Sequence, residues 1–267
     1  MRLLDPLVPQ RGAVLARANP VAKLVAATAL MLAALLAIDL VTAALLFAIE
    51  LAAIPLSGLR AAALARRAWP LVGVALGIGL ANGLFPAQPG ASPLLEIGPL
   101  RPSAASLVVG LSLGIRLMAI AFAGLLALAT TDPTDLADAL SQQLGLSSRF
   151  AIGTLAAVRL APLVSVEWQT LGLARRARGV DAGRNPIAAT RLFGGRLLAL
   201  LVSAIRRGTR LATAMEARGF GVTATRSWAR PRRMHPGDWA LIGAAVLLAA
   251  AASWLSLALG SWRFLLG

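Results

Sequence analysis

Several residue types that commonly supply chemistry are missing or nearly missing from this chain. The 267 residues include no cysteine, no tyrosine and a single histidine, His235. Without cysteine there is no disulfide framework, no thiolate nucleophile and no cysteine-based zinc site. One histidine also argues against a histidine metal cluster and against a Ser-His-Asp triad. We therefore expect no catalytic residue, no metal site and no cofactor.

Lysine and the acidic residues are scarce as well. Lys23 is the only lysine, and no Gly-x-x-x-x-Gly-Lys-Ser/Thr motif occurs, which excludes a P-loop for ATP. The 26 basic residues outnumber 11 acidic ones, giving a net charge of +15. Such an excess suits nucleic acid, anionic lipid headgroups or an acidic protein partner. The long apolar blocks, and the lack of aromatic residues interleaved with the basic ones, argue against nucleic acid.

Apolar residues dominate what is present. They make up 58% of the chain, above the roughly 45–50% typical of soluble proteins. Their longest runs approach or exceed the length that spans a bilayer, at residues 21–38, 40–56, 68–85, 104–129 and 239–259. The first residues lack a compact apolar core with a cleavage site, so we expect no removable signal peptide. The sequence predicts an all-α, multi-pass protein of the cell (plasma or inner) membrane with about five transmembrane helices.

A few polar and small residues interrupt the apolar runs. Glu50 is expected either near a boundary or buried in the helix bundle, and Arg116 is expected to form a structural ion pair rather than a transport site. Residues 57–67 read as a short basic loop. Pairs of glycines four residues apart suit close helix contacts, within this chain or with a partner, at Gly73/Gly77, Gly79/Gly83 and Gly110/Gly114.

The pattern changes after residue 130. Asp132 is typical of a helix N-cap, Pro133 of a first helical residue and Asp135 of a first-turn charge. The helices that follow are predicted to be amphipathic, the last of them from about residue 187 to 217. Three parts result: residues 1–130 with an N-terminal segment and four transmembrane helices, 131–236 with the amphipathic helices, and 237–267 with the last transmembrane helix.

A short phrase occurs twice within the middle part. Residues 174–180 and 214–220 both read Ala-x-x-Ala-Arg-Gly followed by an apolar residue. Alanine and arginine favour helix, and glycine commonly follows a helix end. One copy is explained by a helix cap with an arginine that compensates the dipole. Two copies predict two equivalent docking points, where small residues admit a partner and a guanidinium binds carboxylates or carbonyls.

The distribution of basic residues predicts the orientation. Most of them lie in the N-terminal segment, in residues 57–67 and in residues 131–236. The positive-inside rule therefore places the N-terminus and residues 131–236 in the cytoplasm, with residues 86–103 and the C-terminus outside.

The order of apolar spans, the segment Arg159-Leu160-Ala161-Pro162-Leu163 with Glu167, and the two Ala-Arg-Gly motifs resemble the transmembrane T component of energy-coupling factor transporters. The resemblance covers most of the chain and is most specific over residues 131–221. It implies a non-catalytic scaffold whose two crossed cytoplasmic coupling helices each contact one of two ABC ATPase subunits. It also implies that a separate S component binds the vitamin or transition-metal ion, with membrane lipids around the assembly.

The resemblance also assigns roles to residues. Arg178 and Arg218 are implied as the principal ATPase contacts. Four small residues are implied to allow close approach, namely Ala177, Gly179, Ala217 and Gly219. Supporting positions are Arg159, Pro162, Glu167 and Glu216, and Glu216 is expected to tie the helices together.

Two other interpretations stay open. A conventional ABC-importer permease carries its own substrate path and usually offers one coupling helix per chain, so two docking phrases favour a single scaffold that serves two ATPases. A membrane lipid-modifying enzyme would need an acidic metal motif. The cytoplasmic region offers only Asp135-x-x-Asp138, which is better explained as charge at a helix N-terminus beside Asp132.

Overall fold

The computed structural model describes residues 12–85, 102–220 and 231–260. Within these ranges every regular element is an α-helix, which confirms the predicted class. The helices are α1 Val14–Arg17, α2 Pro20–Leu36, α3 Leu40–Ala52, α4 Ile54–Ser57, α5 Ala61–Leu84, α6 Ala104–Ala129, α7 Pro133–Gln143, α8 Ser148–Ala177, α9 Pro186–Ala217 and α10 Pro236–Ala258. The predicted external loop lies outside the described residues except for positions 102 and 103.

Five of the described helices are long and apolar enough to cross a membrane, namely α5, α6, α8, α9 and α10. The number agrees with the prediction, but the members differ. The first two predicted spans correspond to α2 and α3, which have 17 and 13 residues. Conversely, α8 and α9 were expected to be amphipathic, yet they have the length and hydropathy of spans.

The long apolar run over residues 21–56 breaks at Asp39 because this carboxylate caps a new helix. Its Oδ2 accepts a hydrogen bond from the backbone N–H of Thr42 at 2.7 Å, within the first turn of α3. An N-cap of this kind satisfies one of the otherwise unpaired amides of a helix start. The predicted interruption at Asp39 is therefore confirmed, and α2 and α3 on either side of it are shorter than the other apolar helices.

The start of α5 corrects the predicted basic loop. The loop was expected over residues 57–67, but α5 already begins at Ala61 and includes Arg66 and Arg67. Alanine and arginine are strong helix formers, so this basic segment extends the apolar helix instead of interrupting it. Pro70 lies inside α5, less than three turns from its start.

The chain divides into two compact units, residues 1–139 with 232–267, and residues 140–231. In the first unit α6 packs against α2, α3 and α5, while α10 packs against α2 and α3. Phe47 and Phe122 meet edge to face with ring centroids 5.9 Å apart. The buried side chains form two clusters, one of Leu59, Leu64, Ala68, Phe122 and Leu126, the other of Ala34, Leu46, Ala119 and Ala252.

Glycines bring α5 and α6 into close contact. A Cβ added at Gly110 would lie 2.3 Å from the carbonyl oxygen of Gly79 and 2.8 Å from the nitrogen of Gly83. These two predicted glycine pairs therefore pack within the chain, as small residues allow. Gly73 and Gly77 differ, since a Cβ at either would have no neighbour within 4 Å among the described residues.

Arg116 has backbone partners where an ion pair was predicted. Its Nε donates to the carbonyl oxygen of Ala34 at 2.7 Å, and its Nη2 donates to that of Leu35. Both carbonyls lie in the last turn of α2, where a helix leaves carbonyl groups without intrahelical partners. The guanidinium therefore caps α2 from α6, and the expectation of a carboxylate partner is corrected for the described residues.

The start of α7 confirms the prediction made from its sequence. Pro133 is the first helical residue, and Asp132 Oδ1 accepts from the backbone N–H of Thr134 at 2.7 Å. Asp135 forms an ion pair with Arg232. This pairing gives the Asp135 carboxylate a structural role and does not favour the lipid-modifying interpretation.

Candidate functional site

The two repeated phrases end two helices in the same way. α8 ends at Ala177 and α9 at Ala217, so the following arginines occupy the C-cap positions, with φ near −90° in both. Gly179 and Gly219 come next, with φ of 74° and 75°. This left-handed region is strained for residues with a side chain, and glycine enters it freely. The predicted helix-end geometry is confirmed.

The hydrogen bonds at the two ends also match. At the end of α8, the backbone N–H of Gly179 donates to the carbonyl oxygen of Arg176 at 2.9 Å. The backbone N–H of Val180 donates to the carbonyl oxygen of Arg175 at 3.0 Å. These are the two bonds of a Schellman motif, which satisfies carbonyls at a helix end. The second copy repeats both distances, 2.9 Å for Gly219 to Glu216 and 3.0 Å for Phe220 to Met215.

The surfaces of both ends are open in this chain. Arg178 and Arg218 are exposed, as are the alanine and glycine on either side of each. A Cβ added at Gly179 or Gly219 would meet nothing within 4 Å. Within the described chain, the glycines are therefore required by their backbone conformation and not by crowding. Their predicted role in the approach of a partner stays a prediction.

Contacts between α8 and α9 show that the two helices run antiparallel. Glu167 of α8 accepts hydrogen bonds from Arg207 Nη2 and Ser203 Oγ of α9, both at 2.7 Å. Arg175 lies two turns after Glu167 on α8, and its Nη1 donates to the carbonyl oxygen of Leu192 at 3.0 Å. Leu192 lies about four turns before Arg207 on α9. A later residue on one helix thus meets an earlier residue on the other.

Antiparallel packing separates the two arginine phrases. Arg178 follows closely after Arg175, which contacts Leu192 near the start of α9. Arg218 lies at the opposite end of α9. At 1.5 Å of rise per residue, the distance along α9 from Leu192 to Arg218 is roughly 40 Å. The two matching ends therefore lie near opposite ends of the helix pair.

Two arginines lie across glycines of the facing helix. A Cβ at Gly195 would come within 3.2 Å of the Arg175 guanidinium, and a Cβ at Gly172 within 3.3 Å of that of Arg196. Arg196 also lies over the ring of Trp168, 5.8 Å from its centroid. The glycines leave room for these side chains, so the two helices interlock reciprocally.

The supporting residues from the sequence fall into two groups. Glu167 makes the contacts between helices, whereas Glu216 is exposed at the end of α9, so the carboxylate that ties the helices is Glu167. Arg159 and Pro162 are both exposed on α8, upstream of these contacts, and Pro162 lies inside the helix.

Sequence reasoning missed the partners of Glu167. Arg207 and Ser203 lie 40 and 36 residues away from it. The available signal was that Glu167 is the only acidic residue of α8, while α9 carries several arginines. Which arginine it meets depends on the register of the two helices.

The α8–α9 pair exposes a wide apolar surface. Of the most apolar 18-residue stretch in each of the two helices, only 6% is buried. The exposed large apolar side chains include Leu163, Val166, Leu173, Phe193, Leu197, Leu198, Leu201, Val202 and Ile205. A surface of this size is typical of a site that is covered by lipid or by another protein.

Comparison with known proteins connects these features to a family. The family model described as "CbiQ: Cobalt transport protein" matches residues 12–227. An energy-coupling factor transporter transmembrane protein, EcfT, of Lacticaseibacillus paracasei is 31% identical over 150 residues, which cover 53% of this chain and 57% of that protein. The EcfT of Streptococcus equi subsp. equi is 29% identical over 217 residues, covering 78% of this chain and 80% of the other.

A third relative, the EcfT of Thermanaerovibrio acidaminovorans, is 32% identical over 140 residues, covering 49% of this chain and 52% of that protein. The chain thus spans about half the length of several curated relatives that it matches. Its apolar helices mark it as a multi-pass membrane protein. Because the family match extends over both arginine phrases and most of the chain, this protein belongs to the CbiQ family of cobalt transport proteins.

Proposed function

We propose that this chain is the transmembrane coupling subunit of an energy-coupling factor-type ABC importer. The observation that carries the proposal is the pair of matching arginine-capped helix ends at opposite ends of α8–α9. Two equivalent contact points near opposite ends of the helix pair suit two equivalent partners, one at each end. The relatives described above, which are named energy-coupling factor transporter transmembrane proteins, support this assignment.

In this role the chain transmits motion and performs no chemistry. The two ATPase subunits bind and hydrolyse ATP, and each holds one exposed arginine, Arg178 or Arg218. The Glu167–Arg207 ion pair and the interlocked arginines join α8 to α9. A displacement of either end therefore moves both helices together. Transport requires that the contacts differ between the states before and after ATP hydrolysis.

The exposed apolar surface of α8 and α9 is the proposed contact for a separate S component. That partner binds the cargo, a vitamin or a transition-metal ion, and a cobalt substrate is consistent with the family's description. Tilting of the S component follows from movement of the helices on which it rests.

The proposed orientation has a cytoplasmic N-terminus and a cytoplasmic region 131–236. The basic residues of this region support it, since cytoplasmic segments are enriched in arginine. In this arrangement α8 and α9 lie along the inner membrane surface, and their apolar side chains contact lipid and the S component. Their exposed arginines remain in the aqueous phase.

The test is reconstitution with two ATPases and an S component. A charge-assisted arginine contact is worth about 1.5–3 kcal/mol, so Arg178→Ala or Arg218→Ala should weaken one ATPase contact about ten- to a hundredfold. Each single variant should lower uptake and keep part of the ATPase. The double variant should lose uptake and release most ATPase, as measured by co-purification and by transport into vesicles.

The matched control is Arg191→Ala, which removes another exposed arginine of α9 outside both phrases. It should behave like the unchanged protein. If the double variant keeps ATPase and uptake at the level of this control, the two arginines are helix caps and the proposal fails. ATP hydrolysis by the pure chain alone would equally contradict it.

A further inference from the structure

The chain leaves the first unit through α7 and returns to it before α10, and polar contacts hold both passages. The segment between them, residues 140–231, carries α8 and α9 with both arginine phrases. The outgoing passage runs from Thr130 into α7, and the returning passage runs from Arg232 into α10. The contacts that hold these two passages therefore set where the coupling segment begins and ends.

Lys23, near the start of α2, holds the outgoing passage. It is 4% exposed, and its Nζ donates to the backbone carbonyl of Thr130 at 2.8 Å. Thr130 is the C-cap residue of α6, three residues before α7 begins. The Lys23 ammonium thus caps the helix from which the outgoing passage starts, at the end that favours a cation.

Asp238 holds the returning passage. It is buried, and its Oδ1 accepts from the backbone N–H of Asn19 at 2.7 Å, while its Oδ2 accepts from that of His235 at 2.8 Å. Asn19 is the N-cap residue of α2, and His235 is that of α10. One carboxylate therefore joins the starts of these two helices.

One ion pair joins the two passages directly. Arg232 Nη2 donates to Asp135 Oδ1 across 97 residues of sequence, and each side chain is 32% exposed. Asp135 and Asp238 both attract the Lys23 ammonium, whereas Arg232 repels it. The ion pair is thus part of a charge network that includes the start of α2.

We propose that Asp135 and Arg232 are positioning residues for coupling, which keep the two ends of segment 140–231 together on the first unit. With both ends held, a displacement of α8 or α9 is transmitted to the first unit and is not absorbed where the chain leaves and re-enters it. A partly exposed ion pair adds little stability, so we expect its effect on geometry to exceed its effect on folding. The consequence for transport rests on the proposed coupling function, whereas the contact itself does not.

Hydrogen exchange of the full-length chain in detergent tests the contact without any partner. Arg232→Gln should raise the exchange rate of the α7 amides about two- to fivefold, the factor by which such an ion pair shifts a local opening equilibrium. Arg232→Lys, which keeps the charge, should retain most of the protection. In the Arg232→Gln background, Asp135→Asn should add less than it does alone, which assigns the effect to the pair. The matched control is Arg233→Gln, at the adjacent exposed arginine, and it should exchange like the unchanged chain.

The assembly with two ATPases and an S component tests the consequence. Arg232→Gln should leave ATP hydrolysis nearly unchanged and lower the uptake per ATP hydrolysed by about two- to fivefold. A contact with a merely structural role would lower hydrolysis and uptake together, or neither of them. Arg233→Gln should keep the ratio of the unchanged assembly.

Three results would overturn the proposal. Equal amide exchange in Arg232→Gln and Arg233→Gln would show that the ion pair does not hold α7. Raised exchange with an unchanged ratio of uptake to hydrolysis would show that the contact has no part in coupling. An unchanged assembly that hydrolyses ATP without uptake would reject the coupling function and the positioning role with it, while the exchange rates would still decide whether the ion pair holds α7.

Discussion

The two units of this protein satisfy their polar groups in different ways. In the first unit, buried polar side chains cap helices across the bundle: Asp238 accepts from the backbone N–H groups of Asn19 and His235 at 2.7 and 2.8 Å, and Arg116 caps α2. In the second unit the ion pair between Glu167 and Arg207 is partly exposed, and the helices bury few residues. The first unit thus joins its helices by buried polar contacts, whereas the two long helices of the second unit leave nearly all of their apolar residues unburied.

This difference fits the coupling role that we propose for α8 and α9. A bundle with internal caps and close glycine contacts provides a fixed membrane base. A helix pair with a wide apolar surface can exchange contacts with lipid and with partners as it moves. Three tests of the comparison follow, beginning with the largest expected effect.

Gly110→Ala tests whether the first unit depends on close internal packing. The added Cβ would lie 2.3 Å from the Gly79 carbonyl oxygen, so α5 and α6 must separate. Overpacking of this kind costs about 1–3 kcal/mol, and more where backbone must move. We expect a lower melting temperature in detergent and a lower yield of monodisperse protein.

The control for this change is Gly77→Ala, a glycine of α5 whose added Cβ meets nothing within 4 Å. It should be neutral, or more stable by up to about 1 kcal/mol, because alanine favours helix over glycine. Equal melting temperatures for the two variants would show that the α5–α6 contact does not limit stability.

Arg116→Met tests the cap that joins α6 to α2. The substitution removes the donors to the carbonyls of Ala34 and Leu35 and keeps much of the apolar volume. Loss of hydrogen bonds from a charged donor costs about 1.5–3 kcal/mol. Thermal unfolding should therefore shift downward, while Arg191→Met on exposed α9 should leave it unchanged. A stability equal to that of the Arg191 variant would contradict the proposed cap.

Glu167→Gln and Arg207→Gln test the ion pair that joins α8 to α9 in the second unit. Because both side chains are partly exposed, a double-mutant cycle should give a coupling energy of only about 0.5–1 kcal/mol. Uptake by the assembled transporter should nevertheless fall in either single variant, since the helices no longer move as one. Arg191→Gln, at an exposed arginine of α9 outside both arginine phrases, is the control. A zero coupling energy together with unchanged uptake would show that the ion pair has no function.

Local features of the fold were well predicted. Asp132 and Pro133 start α7, and Gly179 and Gly219 follow the ends of α8 and α9 in the left-handed conformation. Errors arose where a local signal was weak or ambiguous. The alanine–arginine segment at 61–67 was interpreted as a loop from its charge, although both residue types favour helix.

The candidate site was predicted in part. Composition and the repeated phrase were sufficient to select Arg178 and Arg218 as matching exposed positions at helix ends. The partner of Glu167 was not predictable in the same way, because several arginines of α9 compete for it. Only the antiparallel register selects Arg207.

The sequence by itself determined the membrane class, the all-helical architecture and the form of the two helix ends. These properties follow from hydropathy, helix propensity and capping, which act over one residue or a few neighbours. The tertiary structure decided that Arg116 caps α2, that Gly110 packs on Gly79, and that Glu50 is buried inside the first unit. Each of these depends on which faces of distant helices meet, and that is fixed by the packing of the whole unit.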